Sequence, residues 1–91
     1  MSAHDPLLPH RNAIDEIDAA VLRLLNERAG HARAIGELKG TGVVYRPERE
    51  AEVLRRIQSL NTGPLPGEAV ARLFREIMSE CLAVERPLTI A

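Results

Sequence analysis

The sequence predicts an all-α domain of three helices, one long and two shorter. Three observations lead to this prediction. Apolar residues recur at helical spacing in three long stretches, glycines and prolines separate those stretches, and no segment has the pattern of a convincing strand. The length of 91 residues is enough for one domain and no more.

The long helix is predicted over residues 9–39, preceded by a flexible N-terminus over residues 1–8. Pro9 suits the first helical turn, where the N–H that proline lacks would have no partner in any case. The Gly-Thr-Gly sequence directly after this span is typical of a helix end. Gly30 and Gly36 interrupt the helix, and residues this small would let another helix approach closely.

Two cations on one side of the long helix predict an anion-binding site. Arg28 takes a position in the 3-4 apolar spacing where an aliphatic side chain is expected. Because a guanidinium stays charged, it needs an anionic partner when it is buried. Lys39 lies about 20° away around the helix. The pair indicates a small, multiply charged anion bound inside a helical bundle, although alone Arg28 fits a structural ion pair and Lys39 a partner of the helix dipole.

The second helix is predicted over residues 47–61 and the third over residues 66–85, each opened by a proline. Glu50 lies on the apolar face of the second helix, and Glu85 continues the apolar stripe of the third. A proline then ends the third helix and leaves residues 86–91 as a tail or as the start of a following domain.

The composition excludes several functions. A net charge of −1 argues against a general nucleic-acid binder, and the two aromatic residues, Tyr45 and Phe74, are too few for a base-stacking platform. Neither a run of about 18 apolar residues nor a secretory signal is present, so no membrane association is expected. The only cysteine, Cys81, cannot form an internal disulfide, which favours a reducing, cytoplasmic environment.

The length of the first helix predicts a homodimer. A helix of about 30 residues is roughly 45 Å long, more than two shorter helices can cover, so a second copy of the chain would bury the remaining apolar surface. Arg11 lies near the apolar side but roughly 42 Å along the axis from Lys39. It cannot reach the same small ligand within one chain. In an antiparallel dimer, the partner's Arg11 would approach Arg28 and Lys39.

Three segments carry motifs that together cover nearly the whole chain. They are PLLPHRNAIDEIDAAVLRLLNERAGHARAIGELKG, YRPEREAEVLRRI and VARLFREIMSECLAVE. The first is distinctive for its order of Arg, Ile-x-x-Ile-Asp, Leu-Leu-x-Glu-Arg and Gly-x-x-Lys, and the second for Arg-Pro-Glu-Arg-Glu. In these motifs the chain resembles the all-helical chorismate mutases, in particular the mutase domain of bacterial chorismate mutase–prephenate dehydratase proteins.

The resemblance implies an intertwined homodimer with two active sites, each built mostly by one subunit and completed by one arginine from the other. The implied reaction is the Claisen rearrangement of chorismate to prephenate in phenylalanine and tyrosine biosynthesis, with no metal or organic cofactor. The implied catalytic residues are Lys39 and Glu85. The implied substrate-binding residues are Arg28, Arg49, Glu50, Cys81 and, from the partner subunit, Arg11.

Two positions depart from the pattern of the best-known relatives. Those relatives place glutamine at position 85, a neutral donor to the ether oxygen of the substrate, while others carry glutamate, as this chain does. An ionised carboxylate would repel the negative charge that develops on that oxygen, so Glu85 has to be protonated to donate a hydrogen bond. Relatives often have serine at the position of Cys81, and a thiol is a weaker donor than a hydroxyl.

Other interpretations stay open at this point. The chain fits an isochorismate pyruvate lyase on a similar scaffold, or a non-enzymatic helical dimerisation module in which a protein carboxylate pairs with Arg28. In the bifunctional relatives a prephenate dehydratase domain begins about where this sequence ends, so the chain is either a mutase domain of a longer protein or a stand-alone form. His31 is predicted to be packed or partly exposed rather than a base, and Arg55 to lie on a solvated face.

Overall fold

The computed structural model of the protein describes residues 5–39 and 47–85. Within these ranges it contains three α-helices and no strand: α1 (Leu8–Lys39), α2 (Pro47–Leu60) and α3 (Gly67–Glu85). The predicted all-α fold of one long and two shorter helices is confirmed. Each observed helix differs from its predicted span by one residue at a single end. The predicted tail and half of the predicted flexible N-terminus, residues 1–4, lie outside the described residues.

Hydrogen bonds before α1 and α3 fix where these two helices begin. The Asp5 Oδ1 atom accepts a hydrogen bond from the Leu7 N–H at 2.9 Å, and the Asp5 carbonyl oxygen accepts one from the Leu8 N–H at 3.1 Å. The turn that leads into α1 is therefore ordered from Asp5 onward. The Pro66 carbonyl oxygen accepts a hydrogen bond from the Val70 N–H at 3.1 Å, so Pro66 caps α3 instead of being its first helical residue.

A short loop over residues 61–66 connects α2 to α3. The Asn61 side-chain amide donates a hydrogen bond to the Leu65 carbonyl oxygen at 2.8 Å, and its oxygen accepts one from the Gly63 N–H at 2.9 Å. One side chain therefore holds both arms of the loop. Gly63 has a φ of 83°, which a residue without a Cβ adopts at no steric cost. This tight connection folds α2 back against α3.

Helix α3 is the central element of the described structure. It packs against both α1 and α2, which do not pack against each other. Its buried residues are Val70, Ala71 and Cys81, and the buried residues of α1 are Ala32 and Gly36. Residues as small as these allow the axes of two packed helices to approach closely.

The two glycines of α1 have different surroundings. A Cβ built on Gly36 would overlap the carbonyl oxygen of Glu85, whereas a Cβ built on Gly30 would meet nothing within 4 Å. The expectation of a close helix approach is therefore correct for Gly36 and wrong for Gly30 within one chain. The physical reason is the helical period, because six residues place the two glycines about 120° apart around α1.

The N-terminal part of α1 is not covered by the other two helices. Its apolar side chains Ile14, Ile17, Val21 and Leu24, which we call the α1 stripe, are between 46% and 57% exposed. Helix α1 has 32 residues and α3 has 19, or about 48 Å against about 28 Å. The resulting shape is elongated, with principal extents of 64 × 31 × 18 Å. An exposed apolar patch of this kind marks an interaction surface.

Among the described helices, none combines the length and the apolar character needed to cross a membrane.

Candidate active site

A cavity of about 730 Å³ lies where the three helices converge. Its walls come from the C-terminal half of α1, the N-terminal half of α2 and the C-terminal half of α3. Six of the seven residues predicted for the site line it: Arg28, Lys39, Arg49, Glu50, Cys81 and Glu85. The volume lies within the usual range of sites for small molecules.

Helical spacing brings these side chains to the same cavity. On α1, Arg28, Ile35 and Lys39 are separated by seven and four residues, so they project from one side of the helix. On α3, Cys81 and Glu85 are four residues apart and share a face. The first turn of α2 supplies the remaining two predicted residues. Each helix therefore contributes one short group of polar side chains.

An ion pair joins α1 to α3 at this cavity. The Lys39 Nζ atom lies 3.4 Å from the Glu85 Oε1 atom, and their side chains are 33% and 13% exposed. The two residues are 46 positions apart in the sequence, so the contact depends on the packing of α1 against α3. It presents a cation and a nearly buried carboxyl group side by side to any molecule in the cavity.

Arg28 is half-buried at the cavity wall and makes no hydrogen bond or ion pair with another residue of the described ranges. Arg28 could have formed a structural ion pair, but no carboxylate in residues 5–39 or 47–85 pairs with it. Arg49 differs, because it pairs with Glu52 at 2.5 Å. Both side chains of that pair are at least 60% exposed, so it contributes little to stability. The Arg28 guanidinium is thus available to an anion in the cavity.

The fixed charges that the described residues place around the cavity balance. Four are cations of Arg or Lys and four are carboxyl groups of Glu: Arg28, Lys39, Arg49, Arg55, Glu48, Glu50, Glu52 and Glu85. A doubly negative ligand would add two negative charges to this balanced set from residues 5–39 and 47–85. A further cation, or protonation of one carboxyl group, would therefore favour its binding.

Arg11, the seventh predicted residue, does not line the cavity. It is exposed and lies 17 residues before Arg28 on the same helix, or about 26 Å along the axis. Within one chain the structure therefore keeps Arg11 apart from the other six.

Comparison with known proteins identifies the family. Residues 10–86 match the family model of chorismate mutase type II. This chain belongs to that family. It is 84% identical over 85 residues to a bifunctional chorismate mutase/prephenate dehydratase of Neisseria gonorrhoeae, and 51% identical over 98 residues to one of Pseudomonas aeruginosa. These alignments cover 93% and 100% of this chain but 24% and 27% of the relatives. The chain thus spans about a quarter of the length of the curated relatives that it matches.

Solved structures of the chorismate mutase family share the fold. A chorismate mutase of Thermus thermophilus (form II) superposes with a TM-score of 0.85 at 34% identity, covering 89% of this chain and 94% of the other. A chorismate mutase of Helicobacter pylori in complex with prephenate superposes with a TM-score of 0.80 at 29% identity, covering 89% and 91%. The three-helix architecture of this chain is therefore that of known chorismate mutases.

Four polar side chains of this chorismate mutase family member line the cavity although sequence analysis did not place them there. They are His31, Glu48, Glu52 and Arg55. His31 follows Arg28 by three residues, and Arg55 follows Glu52 by three, so each lies one helical turn beyond another cavity residue. Both three-residue spacings can be read from the sequence. They predict a cavity residue only when the face of each helix that meets the cavity is known.

Proposed function

We propose that this chain is a chorismate mutase, an isomerase that catalyses the Claisen rearrangement of chorismate to prephenate in phenylalanine and tyrosine biosynthesis. The observation that carries the proposal is the convergence of Arg28 and the Lys39–Glu85 pair on one cavity, in a chain of the chorismate mutase type II family. The similar Helicobacter pylori structure holds prephenate, the product of this reaction.

The cavity suits the two carboxylates of chorismate. Arg28, without an ion-pair partner among the described residues, can hold one carboxylate through two parallel N–H···O bonds. Arg49 adds positive charge at the start of α2, and the half-buried Glu50 accepts a hydrogen bond from the ring hydroxyl. Cys81 is 6% exposed, and its thiol contributes apolar wall and at most a weak hydrogen bond.

The reaction is unimolecular and needs neither a nucleophile nor a net proton transfer. The ether C–O bond breaks while a new C–C bond forms within the same molecule, so the protein has to hold the enolpyruvyl arm over the ring. Negative charge grows on the ether oxygen as the bond breaks. Donors from Lys39 and Glu85, which lie side by side, bind that oxygen more strongly in the transition state than in the ground state, as catalysis requires.

Glu85 has to carry a proton in this mechanism. The charges of the described residues support the requirement, since a dianion adds two negative charges to a cavity around which those fixed charges already cancel. Protonation of Glu85 removes one negative charge and turns its carboxyl group into a donor for the ether oxygen. Lys39 then keeps its charge for the substrate.

We further propose that the active form is a homodimer, to which the partner's Arg11 supplies the missing cation. The exposed α1 stripe supports this proposal, because an antiparallel second copy of α1 would bury it. The position of Arg11 at the far end of α1 also supports it, because that end of one helix would lie near the cavity end of the other.

The proposal also covers the larger protein and its compartment. We infer that the full-length protein carries a prephenate dehydratase domain, because the relatives named above are bifunctional and this chain spans about a quarter of them. Such a domain would consume the prephenate formed here. A cytoplasmic location is supported by the single cysteine of the chain, which is unpaired.

One coupled measurement tests the function. Purified chain is incubated with chorismate, loss of chorismate and gain of prephenate are followed together, and the mass in solution is determined by light scattering. We expect one prephenate for each chorismate consumed and a mass of two chains. A bicyclic transition-state analogue should raise the melting temperature more than chorismate does.

Three results would contradict the proposal, each in favour of a different interpretation. Release of pyruvate from isochorismate without mutase turnover would indicate a lyase. No turnover and no thermal shift with the analogue would indicate a dimerisation module. Full activity from a monomeric chain would refute the contribution of the partner's Arg11.

A further inference from the structure

The closest approach of α1 to α3 lies directly at the Lys39–Glu85 pair. A Cβ on Gly36 would overlap the carbonyl oxygen of Glu85, and would lie 2.8 Å from its carbonyl carbon and 3.2 Å from its Cα. All three are backbone atoms, so no change of side-chain rotamer can make room for a methyl group. A methyl group at position 36 fits only if the last turn of α3 and this part of α1 move apart.

The close approach at Gly36 brings a Cα–H group of α1 toward a carbonyl oxygen of α3. The hydrogen that a methyl group would replace points at the Glu85 carbonyl oxygen, as in a Cα–H···O=C contact. That oxygen belongs to the last turn of α3, where carbonyl groups have no partner within the helix. The glycine thus both permits the close approach and faces an acceptor that α3 itself leaves unpaired.

The same contact is tied to both members of the ion pair. Glu85 supplies the approached carbonyl as well as the carboxyl group, and Lys39 lies three residues, about one turn, after Gly36. A displacement at Gly36 therefore changes the position of the Glu85 carboxyl relative to the Lys39 ammonium. The buried Ala32, one turn earlier on α1, does carry a methyl group. A Cβ is therefore sterically excluded at the turn of α1 next to the ion pair, but not one turn before it.

We propose that Gly36 is a positioning residue that sets the separation of the Lys39 and Glu85 side chains. It touches neither substrate nor reacting atoms, and acts by holding the last turn of α3 against α1. The proposal rests on the mutase activity proposed above, in which these two side chains must meet one ether oxygen together.

The test compares Gly36→Ala with Gly30→Ala. Both variants add one methyl group to a glycine of α1, but only the one at Gly36 meets another atom within 4 Å. Misplacing reacting groups by about 1 Å can cost about 10²-fold in rate. We therefore expect Gly36→Ala to lower kcat for chorismate about 100-fold, with KM changed less than about threefold because Arg28 is untouched. Gly30→Ala should keep wild-type kinetics.

A double-mutant cycle separates positioning from general damage. If Gly36 acts through Glu85, adding Gly36→Ala to Glu85→Ala should lower kcat by less than about threefold further. A loss of about 100-fold in both backgrounds would mean independent damage and would overturn the proposal. So would a Gly36→Ala protein with wild-type kcat and a crystal structure in which Lys39 Nζ and Glu85 Oε1 remain within hydrogen-bond distance.

Two further results keep the test decisive. Gly36→Ala is also made in the Gly30→Ala background, where the better helix propensity of alanine offsets part of any lost stability. If Gly36→Ala prevents folding in both backgrounds, Gly36 is required for the stability of the fold, and the proposal that it is a positioning residue is overturned. If the wild-type chain converts no chorismate, the proposed function fails, yet the crystal structures of the two alanine variants still decide whether Gly36 sets the Lys39–Glu85 separation.

Discussion

Replacing Glu85 by glutamine should preserve turnover, whereas replacing it by alanine should not. In the structure the Glu85 side chain is 13% exposed and its Oε1 lies 3.4 Å from the Lys39 ammonium. The proposed mechanism uses only the protonated carboxyl group, because the ionised form repels the charge that develops on the ether oxygen. A glutamine amide donates a hydrogen bond from the same place without carrying a charge. An alanine leaves the ether oxygen with Lys39 as its donor on this side.

The size of the effect follows from the loss of one donor to the developing charge. Removing such a donor costs about 10²- to 10³-fold in kcat, or about 2.7–4 kcal/mol of transition-state stabilisation. Glu85→Gln keeps a donor and the shape of the side chain, so its kcat should be at least that of the wild type. Glu85→Ala should lower kcat by about 10²- to 10³-fold.

The assay is kcat for chorismate, measured for all variants at the same pH and ionic strength. Glu27→Gln is the matched control, because Glu27 also pairs with a cation, Arg23 at 2.9 Å, but on the exposed surface of α1 away from the cavity. It should keep the wild-type kcat. A Glu85→Gln protein as slow as Glu85→Ala would refute the protonated-carboxyl mechanism.

Three other substitutions test substrate binding and assembly. Arg28→Ala should raise KM for chorismate by about 10- to 100-fold, since hydrogen bonds to charged groups contribute about 1.5–3 kcal/mol; Arg28→Lys, measured by the same steady-state kinetics, should recover part of the loss. At subsaturating chorismate, Arg11→Ala and Arg28→Ala chains, each of low activity alone, should regain about a quarter of wild-type activity when unfolded, mixed and refolded, because half of the dimers are mixed and each holds one intact site; no recovery would contradict a shared site. Ile17→Glu, in the α1 stripe, should halve the mass seen by light scattering, whereas Ala19→Glu, on the opposite and exposed side of α1, should not.

The sequence allowed the helices and most of the site to be predicted, because both follow from helical spacing. Arg28 and Lys39 line the same cavity because helical spacing places them on one side of α1. Arg55 is exposed, as predicted, and it also lines the cavity. The second fact was not predicted, because the hydrophobic pattern of α2 identifies its apolar side only and the cavity is bounded by the edge of that side. Helical spacing also shows that Gly30 and Gly36 face different ways, but only the packing of α3 determines which of them is the contact.

The α1 helix connects assembly to catalysis through charge. Residues 5–39 and 47–85 give the cavity of one chain four fixed cations and four carboxyl groups, so this part of the chain supplies no excess positive charge for a dianion. The same helix that lines this cavity carries an exposed apolar stripe and, beyond it, Arg11. In an antiparallel pair the burial of that stripe would bring the partner's Arg11 to the cavity. The hydrophobic free energy of assembly would then offset the electrostatic cost of placing one more cation near the others. A dimer interface weakened at the α1 stripe should therefore reduce substrate affinity in proportion to the fraction of monomer, even though no residue of the cavity has changed.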